Sequence, residues 1–284
     1  MAHKARDTAL VTIGFILMAV LIGASVALLL GQTIGPVEGD HWIHLMSAGI
    51  LAGIGPYGFI LSARERNRLA MEDRFPDFLR DLAASHRGGL TLPAAIAVAA
   101  RGDYGPLSGE IRKMADQLSW NVNFREALEN FAQRVDAPLV ARAVNLILEA
   151  DRSGASTVQV LMAASRDVRE IKKLDNERRV QMSLYTIVVY VAFFVLLGVV
   201  ASMYTQFIPE VMRTADQVAG EDVPFLQDLP SLREFQLFYF LTAIVQAVGD
   251  GIVAGALGAG KPVLGLKHSF IMTAFTWLTF ALIL

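Results

Sequence analysis

The distribution of charge constrains this chain more than any other feature. Arg64 to Arg179 carries 19 of the 25 Lys and Arg and 17 of the 27 Asp and Glu, and long apolar runs flank it on both sides. With 54 % hydrophobic residues in 284, the chain is too apolar for an ordinary soluble enzyme. Segregated charge marks a membrane protein with one extramembrane domain, and the absence of strand-like alternation makes it all-α. The net charge of −2 is not the basic excess that nucleic-acid binders carry. The absence of Cys excludes thiol catalysis, thiolate metal sites and disulfides.

Taken in order, residues 1–61 read as a membrane region with two spans. Residues 10–30 hold no charge and are long enough to cross a hydrocarbon core of roughly 30 Å. Lys4 and Arg6 precede this run as they would a signal peptide, but the run is too long for one and a second span follows at once, so it reads as a retained anchor. The link from Gly31 to Asp40 has no Lys or Arg. The second span, 44–61, contains Gly53, Gly55 and Pro56, which are expected to kink it. Arg64, Arg66 and Arg68 follow together. By the positive-inside rule the amino terminus and the charged block are cytoplasmic and the first link is external.

The block, 62–180, reads as about six helices. Phe75, Phe78, Leu79 and Leu82 form the apolar stripe of the first, which Pro76 either starts or kinks and Gly88-Gly89 stops. Thr91 caps a short Ala-rich second helix ending near Arg101-Gly102. Pro106 opens the third, with Leu107, Ile111, Met114 and Leu118 on one face. Asn123 and Glu126 have capping-box spacing and open the fourth, whose inward residues are Leu128, Phe131 and Val135. Asp136 and Pro138 start the fifth, with Leu139, Ala143 and Leu146 expected inward. Ser153-Gly154 breaks the chain, and Ser156 caps a sixth helix through Val158, Leu161 and Val168. No stop signal separates that helix from the membrane, so a continuous rod is expected there. The turn after the first helix, Arg87 to Thr91, and the turn before the last, Arg152 to Ser156, share an Arg-x-Gly-x-Thr/Ser pattern.

Residues 181–284 form a second membrane region. Its spans are 182–204, 235–257 and 266–284, and the link 205–234 is rich in Asp and Glu and is expected outside. Ser231 and Glu234 have capping-box spacing ahead of the fourth span, and Lys261 and Lys267 mark a short inside turn. Five spans result.

Several motifs carry weak chemical signals. Gly255, Gly260 and Lys261 match part of a phosphate-binding loop, but Pro262 stands where a hydroxyl must bind magnesium and no strand precedes it. A helix end and turn is the reading adopted. His41 and His44 sit beside Trp42 at a membrane edge and read as interfacial anchors rather than a metal site. Asp250 lies inside an apolar span, where a carboxylate is a functional candidate by default. Gly249, Gly251 and Gly255 surround it, and the Gly251-to-Gly255 spacing favours close helix packing as its explanation. No nucleophile–base constellation and no cofactor box stands out, so the chain does not read as an enzyme.

The run from Asp73 to Leu82, DRFPDFLRDL, resembles the opening of the extramembrane domain in type II secretion F-type platform proteins. Leu90-Thr91-Leu92, the run from Arg101 to Leu107, the run from Met114 to Trp120, Glu149 to Gly154, and Gly265 to Ser269 resemble further blocks of the archaeal branch, which serves archaella and type IV-like pili. The resemblance covers Glu72 to the carboxyl terminus. It implies a cytoplasmic six-helix bundle in the cytoplasmic membrane's platform, without cofactor or enzymatic activity. It also implies partners: a hexameric secretion ATPase, prepilins or archaellins, and either a second copy or a related platform subunit. Many archaeal members carry two such bundles and this sequence has one, as a short form, one of a split pair or a fragment would. A secondary transporter using Asp250 and a membrane-bound sensor or adaptor are the alternatives from other classes.

Within that resemblance, helices that alternate in direction place three turns at the membrane-distal tip of the bundle. These hold Arg87, Trp120 with Asn121, and Arg152. Arg and Trp are enriched at interface hot spots, so the tip is the candidate ATPase contact. The competing reading buries Trp120 in the core and leaves both Arg merely solvated.

Overall fold

A computed structural model of the chain describes residues 2–29, 42–153, 156–218 and 232–283. The described residues contain helices and turns and no strand. Five helices are long and apolar enough to cross a membrane. The chain is an all-α membrane protein. It divides into two compact units, Ala63–Arg178 and a membrane unit made of Met1–Ser62 and Arg179–Leu284.

Ala63–Arg178 contains the second part of α2 (Trp42–Arg87), then α3 (Leu92–Ala99), α4 (Ser108–Ser119), α5 (Phe124–Val135), α6 (Pro138–Ser153) and the first part of α7 (Thr157–Ser202). Helix α2 runs through Pro76 without ending, so the proline neither starts nor stops a helix there. The core is aromatic at its centre. Phe75 stacks on Phe131 at 6.3 Å, and Phe78 meets Tyr104 edge-on at 5.7 Å. Leu82, Ile96, Leu107, Ile111, Met114 and Leu161 are buried around them.

The helix ends follow from single residues. Gly89, at φ +92°, closes α2 in a Schellman motif, with Leu90 N bonded to Ser85 O and Gly89 N to His86 O. Asn121, at φ +65°, closes α4 the same way through Val122 N to Gln117 O and Asn121 N to Leu118 O. Thr91 caps α3 through Ala94 N. Asn123 caps α5 through Arg125 N rather than through the Glu126 amide that a capping box uses. A short 3-10 turn, Gly105–Leu107, leads into α4, and Pro138 begins α6.

The inward face of α6 differs from the sequence expectation. Ala143 is buried as expected, but Leu146 is 47 % exposed and Leu139 only partly buried, while Val140, Val144, Ile147 and Leu148 face the core. Adjacent apolar residues at 139–140 and 146–148 offer two stripes of equal length, and the structure buries the β-branched one.

In the membrane unit, α1 (Ala2–Leu29), the first part of α2 and the second part of α7 join α8 (Ile208–Val218), α9 (Leu232–Ala259) and α10 (Leu266–Ile283). Trp42 meets Phe240 edge-on at 5.4 Å, and Phe240 meets Phe280 at 5.3 Å. Elsewhere the close approaches are made by glycine. A Cβ on Gly255 would collide with the Gly265 backbone, one on Gly251 with Ser269, and one on Gly55 with Phe270 at 2.8 Å. Gly53, Gly55 and Pro56 lie within unbroken helix, and the first two are packing sites.

The link expected from Thr205 to Glu234 is partly helical. Beyond Ser202 a π turn, Met203–Phe207, passes directly into α8, whose Ile208 is buried. Pro209 has no N–H to extend the helical ladder, and the π turn just before it, with Ile208 N bonded to Met203 O, is where the α pattern is interrupted. The link 31–40, His41, Gly154, Glu221, Asp222, Asp228 and Ser231 lie outside the described residues.

Candidate functional site

The antiparallel pairing of helices in Ala63–Arg178 fixes which turns lie together. Between α7 and α2, Ser165 Oγ donates to Pro76 O at 2.8 Å, Arg169 meets Asp77 at 3.2 Å, and Lys172 meets Asp73 at 2.8 Å. From Arg169 with Asp77 to Lys172 with Asp73, positions rise along α7 as they fall along α2. Arg134 in the last turn of α5 donates to Glu110 in the first turn of α4 at 2.8 Å. Arg125 in the first turn of α5 donates to Leu148 O near the end of α6 at 3.5 Å. Helix α6 ends at Ser153 and α7 begins at Thr157, so those ends are neighbours. The carboxyl ends of α2, α4 and α6 therefore share one end of the unit, opposite the end where α2 enters at Ala63.

All four sequence candidates, Arg87, Trp120, Asn121 and Arg152, are exposed at that end. Trp120 is 79 % exposed, which rules out the reading in which it fills the core. Its position follows from the αL turn at Asn121, which leaves Trp120 at the cap of α4, beyond the last buried residue of that helix, Met114. Leu90, 39 % exposed just past the Gly89 turn, is a further apolar residue at this end that the sequence reading passed over. Its signal was present: a Schellman turn places an apolar residue right after its glycine. An indole and a leucine in water, flanked by two guanidinium groups, can bind an apolar surface with an acidic rim. They can perform no covalent chemistry.

Two partly buried polar networks tie together the helices that present this end. Burial alone would raise the Glu110 carboxyl, but hydrogen bonds from Lys113 and Arg134 outweigh it and hold it below its ordinary value. Tyr104 donates its hydroxyl to Asp81 at 3.0 Å, and burial with that carboxylate pushes the phenol up to about 12. Both networks are scaffolding. No group of three or more potential metal-ligating side chains exists among the described residues.

The remaining candidates are in the membrane unit. Asp250 is half-buried, and Gln246 Nε2 lies 2.9 Å from both of its carboxyl oxygens. The Gly251-to-Gly255 spacing does serve close packing, against Gly265 and Ser269. His44 accepts from Trp277 Nε1 at 3.0 Å, as an anchoring pair. Gly255 to Lys261 is a helix end and turn, with Gly260 at φ +69°.

The fold defines an all-α membrane protein whose helical unit Ala63–Arg178 exposes Trp120 and Leu90 at one end. Comparison with known proteins makes this particular: residues 78–205 match the family described as Type II secretion system (T2SS), protein F. The chain thus carries a type II secretion F-type domain over residues 78–205. It is 25 % identical over 210 residues to the uncharacterized protein MJ1286 of Methanocaldococcus jannaschii. That alignment covers 74 % of this chain and 33 % of the relative, so the chain spans about a third of the length of the curated relative it matches. No solved structure matches.

Proposed function

We propose that this protein is a non-enzymatic platform in the cytoplasmic membrane for assembling an archaellum or type IV-like pilus. Ala63–Arg178 and the amino terminus face the cytoplasm. The end bearing Arg87, Leu90, Trp120, Asn121 and Arg152 receives a hexameric secretion ATPase, whose movement is passed to pilin insertion or filament motion. The platform works with a second copy or a related subunit. The F-type match supports the platform role, and an archaeal relative favours the archaeal branch.

The observation that carries the docking site is the exposure of Trp120. A residue of that size left in water on an otherwise well-packed helical unit is what an interface hot spot looks like before its partner arrives. Double reversal, Arg87→Glu with Arg152→Glu, is expected to release the ATPase on co-purification while leaving helicity and melting temperature unchanged. The wild-type contact weakens as salt rises, because exposed charges are screened over about 8–10 Å at physiological ionic strength. Wild-type recovery of ATPase by the doubly reversed protein would exclude this end as the docking surface.

A further inference from the structure

Helix α7 is bare where it leaves the helical unit. Every residue from Lys173 to Gln181 is exposed, about two and a half turns. A helix packed on one side buries a stripe of residues three or four apart, so no described element covers any face of this stretch. It carries Arg178 and Arg179 directly before the exposed apolar run Val180, Leu184, Ile187, Val188 and Val191.

Helix α2 brings a second basic pair, Arg64 and Arg66, to the same end of the unit, and both are exposed. Lys172 of α7 meets Glu72 of α2 at 3.8 Å. Arg178 lies six residues past Lys172, and Arg66 six residues before Glu72, so each is about 9 Å beyond that contact. Arg64 and Arg66 follow the apolar span 44–61, and Arg178 and Arg179 precede the span 182–204, by three to five residues. At 1.5 Å per residue that is about 5–8 Å from the hydrocarbon, in the layer of the lipid phosphates.

The carboxylates beside them are engaged elsewhere. Glu65 meets Arg68 at 2.6 Å and Glu177 meets Lys173 at 4.0 Å, while Asp175 stands farther from the span. Among the described residues Arg66, Arg178 and Arg179 enter no ion pair. Guanidinium groups take phosphate oxygens through paired hydrogen bonds. The phosphate of phosphatidylcholine has its own cation beside it, so a headgroup with net negative charge is the better complement to this end.

We propose that Arg66, Arg178 and Arg179 bind the headgroup phosphates of acidic phospholipids, and that this contact steadies α7 where no protein packs on it. The site rests only on α2 and α7 crossing the membrane. It is independent of the ATPase-docking end and of the side on which the helical unit lies.

The test uses the full chain in phosphatidylcholine nanodiscs holding a trace of acyl-labelled acceptor lipid, either phosphatidylglycerol or phosphatidylcholine. The donor dye is carried by a single Cys replacing Leu174, an exposed residue of the bare stretch. Energy transfer should show phosphatidylglycerol associating about fivefold or more tightly than phosphatidylcholine, fivefold being the effect of one basic residue at an anionic surface. Arg66→Gln with Arg178→Gln and Arg179→Gln should abolish the preference, and the same three positions changed to Lys should keep most of it. Arg101→Gln with Arg112→Gln, which removes exposed charge elsewhere in the unit, should leave it unchanged. Amides from Lys173 to Val180 should exchange more slowly when phosphatidylglycerol is present, a difference that the triple Gln variant loses. Equal transfer to the two lipids in wild type overturns the proposal, as does a preference that survives the triple Gln change or falls as far with the Arg101 and Arg112 changes. Displacement of phosphatidylglycerol by inorganic phosphate at fixed ionic strength assigns the arginines to a soluble phosphate and also overturns it.

Discussion

Phe75, Phe78 and Phe131 fill the centre of Ala63–Arg178, whereas in the membrane unit Gly251, Gly255 and Gly265 make the closest approaches. The helices differ accordingly. In α4 and α5 one face is apolar and the other charged, so water sorts the faces. In α1 and α9 apolar residues occur all round, and lipid gives no such direction. The first unit is held by removing large side chains from water. The second depends on backbone proximity, where one added methyl group matters more than one removed.

The largest effect should come from emptying the aromatic centre. Phe131→Ala is expected to cost about 3–5 kcal/mol, the range for deleting a buried aromatic ring, read from chemical or thermal unfolding of the helical unit. Val195→Ala, on an exposed face of α7, should change the melting temperature little. If both cost the same, the contrast between the units fails.

Adding volume should reverse the ranking. Gly255→Val places side-chain carbon in the Gly265 backbone and is expected to cost about 1–3 kcal/mol or more through overpacking, lowering the melting temperature in detergent. A tolerated valine would mean that α9 does not touch the turn before α10 there.

Smaller still is the Tyr104 hydrogen bond. Tyr104→Phe leaves the ring against Phe78 and removes one charge-assisted bond, for about 1–3 kcal/mol by the usual range, toward the low end because the pair is only partly buried. Because the folded phenol titrates near 12, above its ordinary 10, its contribution is full below pH 10 and lost as pH rises through 12. An alkaline absorbance titration should show a late tyrosine component that Tyr104→Phe diminishes by one group. At the other extreme, the Glu110 carboxyl is depressed in the fold. Its contribution is present above its unfolded pKa of 4.5 and lost as pH falls through the lower folded value. Glu110→Gln should therefore flatten the acid limb of the stability profile slightly.

The helix ends of the charged block were legible because one residue type decides each: Gly89 for a left-handed turn, Thr91 for a cap, Pro138 for a first turn. The exposed site residues were legible for the same reason, since turns alone place Arg87 and Trp120. The face of α6 was not, because its two apolar stripes are equivalent until α5 and α7 select one. Helix α8 was missed because Pro209 and the acidic residues around it read as a loop, and a π turn leaves no mark in composition. The half-exposed state of Asp250 could not be read either. It depends on which side of α9 the glycine contacts turn toward α10, and glycines lie on both sides.

The central claim, that the charged helical unit works on the cytoplasmic side of the membrane, is open to direct measurement because the chain has no cysteine of its own. Single cysteines at Glu38, Gly102, Glu221 and Lys261 can each be treated with a membrane-impermeant maleimide in intact cells. The account predicts labelling at Glu38 and Glu221, and at Gly102 and Lys261 only after the membrane is opened. Labelling of Gly102 in intact cells would contradict it, placing Trp120 and its neighbours beyond the reach of any cytoplasmic motor.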